Sequence, residues 1–196
     1  MTQLVLASQS RVRAKLLEAA GVVFTTAVSG VDEDAIKSQL AGAPPLEIAS
    51  TLADAKAVRV SDAQPTALVI GADQTLELDG RLFDKPANLA HARVRLTVLR
   101  GRVHRLHSAV ALALRGEVIW RETVTSSLTM RAFSDAFLED YLQRNGEMVL
   151  GSVGGYALEG DGVQLFDHIE GDYFSILGLP LLGLLHALRD QTAIAA

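Results

Sequence analysis

The chain has 196 residues, 49% of them hydrophobic, a formal net charge of −5 and no cysteine. Such a length supports one compact domain, or two closely apposed lobes, with a sizeable core. The missing cysteines exclude disulfides, thiol nucleophiles and cysteine-ligated zinc, and the negative balance argues against coating nucleic acid, which needs Lys and Arg to neutralise phosphates. A chain that needs no oxidising compartment is expected in the cytoplasm.

Met1-Thr2-Gln3 is followed by only four apolar positions, Leu4 to Ala7, so no signal peptide is expected. Those four read as a short buried strand. Ser8-Gln9-Ser10 then offers hydroxyl caps for a helix from about Arg11 to Ala20, stopped by Gly21. Asp32-Glu33-Asp34 taken alone is an acidic surface loop. A second helix is predicted from Pro45 to about Val60, with Lys56 on the stripe of Ile48, Leu52 and Ala55. Thr66 to Leu78 is a continuous extended run, and Asp79-Gly80 signals a type I′ hairpin into Arg81-Leu82-Phe83.

Asn88 can cap a helix to about Arg100, and Val103 to Leu114 should pair with Val118 to Met130 around Arg115-Gly116. Ser134 caps another helix, ended by Asn145-Gly146. A glycine-rich stretch, Gly151 to Gly162, leads into a strand over Val163 to Ile169. Pro180 opens a last helix to about Arg189. The apolar stretch around it, Ile176 to Leu188, is too short to span a bilayer, so no membrane partner is expected. The elements make one α/β domain over residues 1–196 with a mixed, largely antiparallel sheet; a version with two lobes around a cleft fits equally well.

Ser8-Gln9-Ser10-Arg11-Val12-Arg13 places hydroxyls, a helix start and guanidinium groups at a strand end, which suits a phosphate, although an ordinary N-cap with exposed arginines has the same pattern. Asp73 lies inside Val69-Ile70-Gly71-Ala72-Asp73-Gln74-Thr75-Leu76. It is either a functional carboxylate or a solvent-facing one on a strand edge, since burying it without a charged partner is costly. Lys56 and Lys85 either snorkel to solvent or point into a polar cleft. The acidic run at Glu33 is either surface or a holder of divalent metal near a phosphate site. His104 and His107, three apart in a strand, face opposite ways and form no zinc set; the arginines from Arg93 to Arg105 read as a solvated face.

Taken in order, these segments resemble the Maf (septum formation) family from Leu4 to about Leu188. The resemblance is carried by Leu6-Ala7-Ser8-Gln9-Ser10-Arg11-Val12-Arg13-Ala14-Lys15-Leu16-Leu17, Asp32-Glu33, Leu52-Ala53 with Lys56-Ala57, and Ile70-Gly71-Ala72-Asp73. Lys85-Pro86 and the segment from Gly171-Asp172-Tyr173 to Gly178-Leu179-Pro180 complete it. It implies a twisted mixed sheet with two lobes around a cleft, akin to inosine triphosphate pyrophosphatases, and often a homodimer. It further implies hydrolysis of a nucleoside triphosphate to monophosphate and pyrophosphate with Mg2+ or Mn2+. Asp73 would be the proton acceptor that activates water, Ser8, Arg13, Lys56 and Lys85 would grip phosphates, and Glu33 and Asp73 would meet the metal or, for Glu33, the substrate.

Two positions depart from the family pattern. Arg11-Val12 stands where a proline and a first arginine are customary, and Ser152 replaces a lysine of a Lys-Ala-Gly-x-Tyr segment. Gln74 and Glu159 look like the branch that hydrolyses 7-methyl-GTP, whereas the dTTP and UTP branch usually carries Thr and Gln. A carboxylate at Glu159 suits the donor edge of guanine. The alternatives are a dTTP/UTP pyrophosphatase and a non-catalytic nucleotide-binding regulator of septum formation, which would bind nucleotide without turnover.

Overall fold

The computed structural model describes residues 3–195. Its centre is the extended run expected at Thr66 to Leu78, which forms β3 (Leu68–Leu78). β1 (Leu4–Leu6) and β2 (Thr25–Thr26) continue the sheet in parallel on one side, in the order β2-β1-β3-β5-β6-β7. β5 (Val103–Leu114), β6 (Glu117–Met130) and β7 (Phe166–Glu170) follow antiparallel on the other. β4 (Arg81–Phe83) folds back on β3 through Asp79-Gly80, whose φ values of 52° and 76° are the left-handed pair that a type I′ turn requires. The seven-stranded sheet is therefore mixed and mostly antiparallel, flanked by helices, as the sequence implied.

Strand alternation divides the helices between two faces. α3 (Pro45–Ala63) covers the face of Val69, Gly71 and Asp73, and its Ala49, Ala53 and Ala57 meet Ala109, Ala111 and Ala113 of β5. The other face carries two apolar clusters. Leu4, Leu6, Leu68, Ile70 and Leu112 pack with Leu17 of α1 (Arg11–Ala19) and with Leu181, Leu184 and Leu188 of α7 (Leu181–Asp190). Leu76, Leu106, Leu128 and Met130 pack with Leu96 of α4 (Leu89–Leu99) and Leu138 of α5 (Asp135–Asn145).

Several stretches depart from the sequence-based expectations, among them the unpredicted β2 and a 3-10 helix over Gly146–Gly151. Asp32-Glu33-Asp34 opens α2 (Glu33–Gln39) rather than a loop: Asp32 Oδ1 accepts from Ala35 N at 2.9 Å, and Glu33, Asp34 and Lys37 complement the helix dipole at its two ends. The helix was hidden because it has no buried residue and hence no apolar stripe. Val163–Leu165 belongs to a 3-10 turn, Asp161–Leu165, that precedes β7. A one-turn helix, α6 (Tyr173–Ile176), capped by Asp172, was not expected. Among the described residues no helix is long and apolar enough to cross a membrane.

A methyl group on Gly71 would lie 2.2 Å from the Ala53 carbonyl oxygen and 2.6 Å from Ala57 N, so no side chain fits beneath α3 there. Gly71→Ala is expected to cost at least about 2 kcal/mol of stability in urea unfolding, because the collision is with backbone. A second core position gives a pH signature. His104 is 1% exposed, with its ring 2.6 Å from the Tyr156 hydroxyl, and burial pushes it down to about 4. Below the ordinary histidine value the unfolded chain takes up a proton that the folded chain refuses, so stability falls as pH drops from 6.5 toward 4. Between pH 7 and pH 5 this group accounts for about 2 kcal/mol, a difference that His104→Gln is expected to remove from paired denaturation curves.

Candidate active site

β1 and β4 pair with the same edge of β3, β1 over Leu68–Ile70 and β4 over Leu76–Leu78. Between them that edge has no strand neighbour, and the gap is where the candidate residues gather. On one side of it, β1 ends with Ala7 N bonded to Ile70 O, and the chain turns through Ser8 and Ser10 into α1. Ser8 Oγ accepts from Ser10 N at 3.2 Å and Ser10 Oγ caps Arg13 N at 3.4 Å, so the serines shape the turn. On the other side β4 leads to Lys85 and the buried Pro86.

Asp73 faces α3 and is 8% exposed. Lys56, two turns from the start of α3's buried stripe, places its Nζ 2.6 Å from Asp73 Oδ1 and 2.6 Å from Glu33 Oε1. Of the two readings open for Lys56, snorkelling to solvent is not observed: the side chain is buried and paired with both carboxylates. Thr75 Oγ1, two residues along the same strand face, donates to Pro45 O at 2.9 Å and pins the start of α3. Partial burial acts to raise Glu33, but Lys56, and then Lys37 and Lys85, outweigh it and hold the carboxyl below the ordinary glutamate range.

Arg13 reaches the gap from α1. Its Nε donates to Gly178 O at 2.8 Å, and its Nη1 to Ala72 O at 2.9 Å and Ser8 Oγ at 3.3 Å. Burial lowers its guanidinium, with the charges of Asp73 and Glu33 acting in the opposite direction. Lys85 has solvent at its surface yet loses hydration to the cleft walls; that loss, and the nearby Arg13, hold its ammonium below the usual lysine range. Ser8, Arg13, Glu33, Lys56, Asp73 and Lys85 are thus brought together around one gap in the sheet.

Gln74 and Glu159 sit elsewhere. Gln74 is on the opposite face of β3, with Nε2 2.8 Å from Ser108 Oγ and 3.0 Å from Ile176 O, where it fastens α6. Glu159 is exposed in the loop before the 3-10 turn at Asp161, within electrostatic reach of Tyr141. Of the departures from the family pattern, Arg11 is exposed and lines a shallow depression with Ser8, Gln9, Ser10 and Thr26, and Ser152 Oγ accepts from Gly154 N at 3.2 Å. The arginines from Arg93 to Arg105 are largely spent on carboxylates, with Arg93 on Glu139, Arg100 on Asp135, Arg102 on Asp79 and Arg105 on Glu77.

Lys37 escaped the sequence reading. It stands one turn after Glu33 on α2, and its Nζ is 2.6 Å from Asp84 Oδ1. The signal that could have found it is the Glu33-x-x-x-Lys37 spacing, which puts both side chains on one helix face once the helix is recognised. Two carboxylates, Glu33 and Asp73, converge on one ammonium; among the described residues no group of three or more His, Cys, Asp or Glu could hold a metal ion. Lys56→Met would leave Asp73 buried beside Glu33 without a shared cation. We expect it to lower the unfolding free energy by about 3 kcal/mol at neutral pH, measured by urea titration.

The model of the family described as Maf-like protein matches residues 3–191. A protein of Caulobacter vibrioides named nucleoside triphosphate pyrophosphatase is 56% identical, over 99% of this chain and 98% of its own length. Proteins named 7-methyl-GTP pyrophosphatase from Brucella abortus and Rhizobium meliloti are 46% and 47% identical, each over 98% of both chains.

Proposed function

This chain belongs to the Maf family, and from that premise we propose that it hydrolyses a nucleoside triphosphate to the monophosphate and pyrophosphate in the gap beside β3. The observation that carries the reading is the Glu33–Lys56–Asp73 cluster, with both contacts at 2.6 Å, facing a rim of Ser8, Arg13 and Lys85. The protein is then a hydrolase of phosphoanhydride bonds, working on the triphosphate pool of the cytoplasm.

Asp73 is the base. Lys56 engages Oδ1 and fixes the carboxylate, which leaves Oδ2 to accept a proton from water as its oxygen bonds to the α-phosphorus. The bond from the α-phosphorus to the bridging oxygen breaks, and pyrophosphate leaves with that oxygen. Lys85 and Arg13 offset the charge that builds on the phosphate oxygens. Arg13 is suited to this because Nε and Nη1 are fixed by protein oxygens while Nη2 makes no bond among the described residues. Carboxylate oxygens suit Mg2+ or Mn2+ when phosphate oxygens and water complete the shell, so Glu33, whose Oε2 is not on Lys56, would hold an ion that screens the triphosphate, with Asp73 beside it.

For the base we propose 7-methylguanine first, on the relatives so named and on Glu159, with UTP and dTTP as the next substrates to try. A base and its α-phosphate lie at opposite ends of a nucleoside, which accords with Glu159 standing apart from the phosphate residues. The reading is tested by pyrophosphate release from 7-methyl-GTP, GTP, UTP and dTTP with Mg2+ or Mn2+. Asp73→Asn is expected to lower kcat at least about a hundredfold, the worth of a positioned base. Glu159→Gln is expected to raise KM for 7-methyl-GTP more than for UTP. No release from any triphosphate, or full activity in Asp73→Asn, would overturn the proposal.

A further inference from the structure

α2 is fastened to the rest of the molecule in an unusual way. It has no buried residue, and the glycines on either side of it, Gly30 and Gly42, have left-handed φ values of 63° and 89° with open space around them. What holds its inner face are two ion pairs from residues four apart: Glu33 to Lys56, and Lys37 to Asp84. These differ in kind. Lys56 is nearly enclosed and shared between two carboxylates, whereas the Asp84 side chain is 64% exposed. A pair with a solvated partner is worth at most about 1 kcal/mol, so it is exchanged cheaply.

Lys37 is also close to the reaction centre. Although partial burial works against its charge, Asp84 holds the ammonium above the usual lysine range, and Glu33 and Asp73 add to the attraction. Asp84 adjoins Lys85 in sequence, and Arg95 Nη1 donates to its carbonyl at 2.6 Å, so the corner that receives Lys37 is anchored from α4. A polar helix with no buried residue therefore carries a cation to the rim of the gap and rests it on a carboxylate that water can readily satisfy instead.

We propose that α2 is a lid over the polyphosphate and that Lys37 is a further substrate-binding residue, which leaves Asp84 for a phosphate oxygen when the triphosphate enters. The inference rests on the pyrophosphatase reading for the position of the triphosphate. Its chemistry is general: one ammonium exchanges an exposed carboxylate for a multiply charged oxyanion, with a charge-assisted hydrogen bond in place of a solvated one.

The test is calorimetry of the full chain with inorganic tripolyphosphate, on the parent protein, Lys37→Ala, Lys37→Arg and Asp84→Ala, with thermal melts to verify folding. Lys37→Ala is expected to weaken binding about tenfold, Lys37→Arg to retain most of it, and Asp84→Ala to bind as tightly as the parent or tighter, since the competing carboxylate is gone. In kinetics the Lys37→Ala loss should appear in KM, with kcat changed by less than about threefold. Equal weakening in Lys37→Ala and Asp84→Ala would mean a structural clip and overturn the proposal, as would unchanged binding in Lys37→Ala. A parent protein that releases pyrophosphate from nucleotides but fails to bind tripolyphosphate would also sink the lid while leaving the reaction standing. Tripolyphosphate binding lost in Lys37→Ala, without nucleotide hydrolysis by the parent, would sink the reaction alone.

Discussion

One ammonium shared by two carboxylates organises this molecule. Asp73 stands on a sheet face that helix α3 covers, where an ionised group without a partner costs several kcal/mol. Lys56 can serve it only if α3 lies very low on the sheet, and the interface is built for that. Ala49, Ala53 and Ala57 meet the alanines of β5, and at Gly71 even a methyl group would strike the helix backbone. Leucines at these positions would bury more apolar area but would lift the helix and carry Lys56 out of reach of Asp73. The thin alanine layer is thus what lets Lys56 reach Asp73, and the leucine-rich clusters lie on the other face.

Two consecutive residues of β3 show how far a strand can separate tasks. Asp73 points to α3 and Lys56, while Gln74 points the other way and holds Ser108 and the last turn of α6. Arg13 joins the two sides: its Nη1 sits on Ala72 O and its Nε on Gly178 O. The serine-arginine turn near the start of the chain and the Gly-Leu-Pro segment near its end therefore meet across the central strand. A change at Gln74 would act on the segment that Arg13 leans on.

Much of this was legible in the sequence for identifiable reasons. β3, its hairpin, the β5–β6 pair and the helices capped by Asn88 and Ser134 announced themselves through alternation, Asp-Gly and Arg-Gly turns and cap residues, which are local signals. Lys56 was legible as an anomaly, a cation on an apolar stripe, but only the fold shows that it turns into the cleft. α2 and Lys37 were not legible, because a helix that buries nothing has no hydrophobic period to detect. The gap between β1 and β4 was equally hidden: it follows from two strands choosing the same edge of β3 at different heights, a pairing that no local pattern encodes.

The site also explains how an acidic protein can meet a polyanion. Two of the cations do not wait as free charges: Lys56 is neutralised by Glu33 and Asp73, and Lys37 by Asp84, whereas Arg13 is held by carbonyl and hydroxyl oxygens. An incoming ligand must compete with these carboxylates, and that competition selects for charge number. A single phosphate group can displace one exposed carboxylate at most, and gains little over the water that already solvates it. On the proposed reading a triphosphate would engage Lys37 on α2 and Lys85 and Arg13 at the rim in one event, so the entropy of association would be lost once while several charge-assisted bonds form. Discrimination in favour of polyphosphates would then need no pocket shaped to their length, only several cations gathered at one rim, with the exposed Lys37–Asp84 pair the one most readily exchanged.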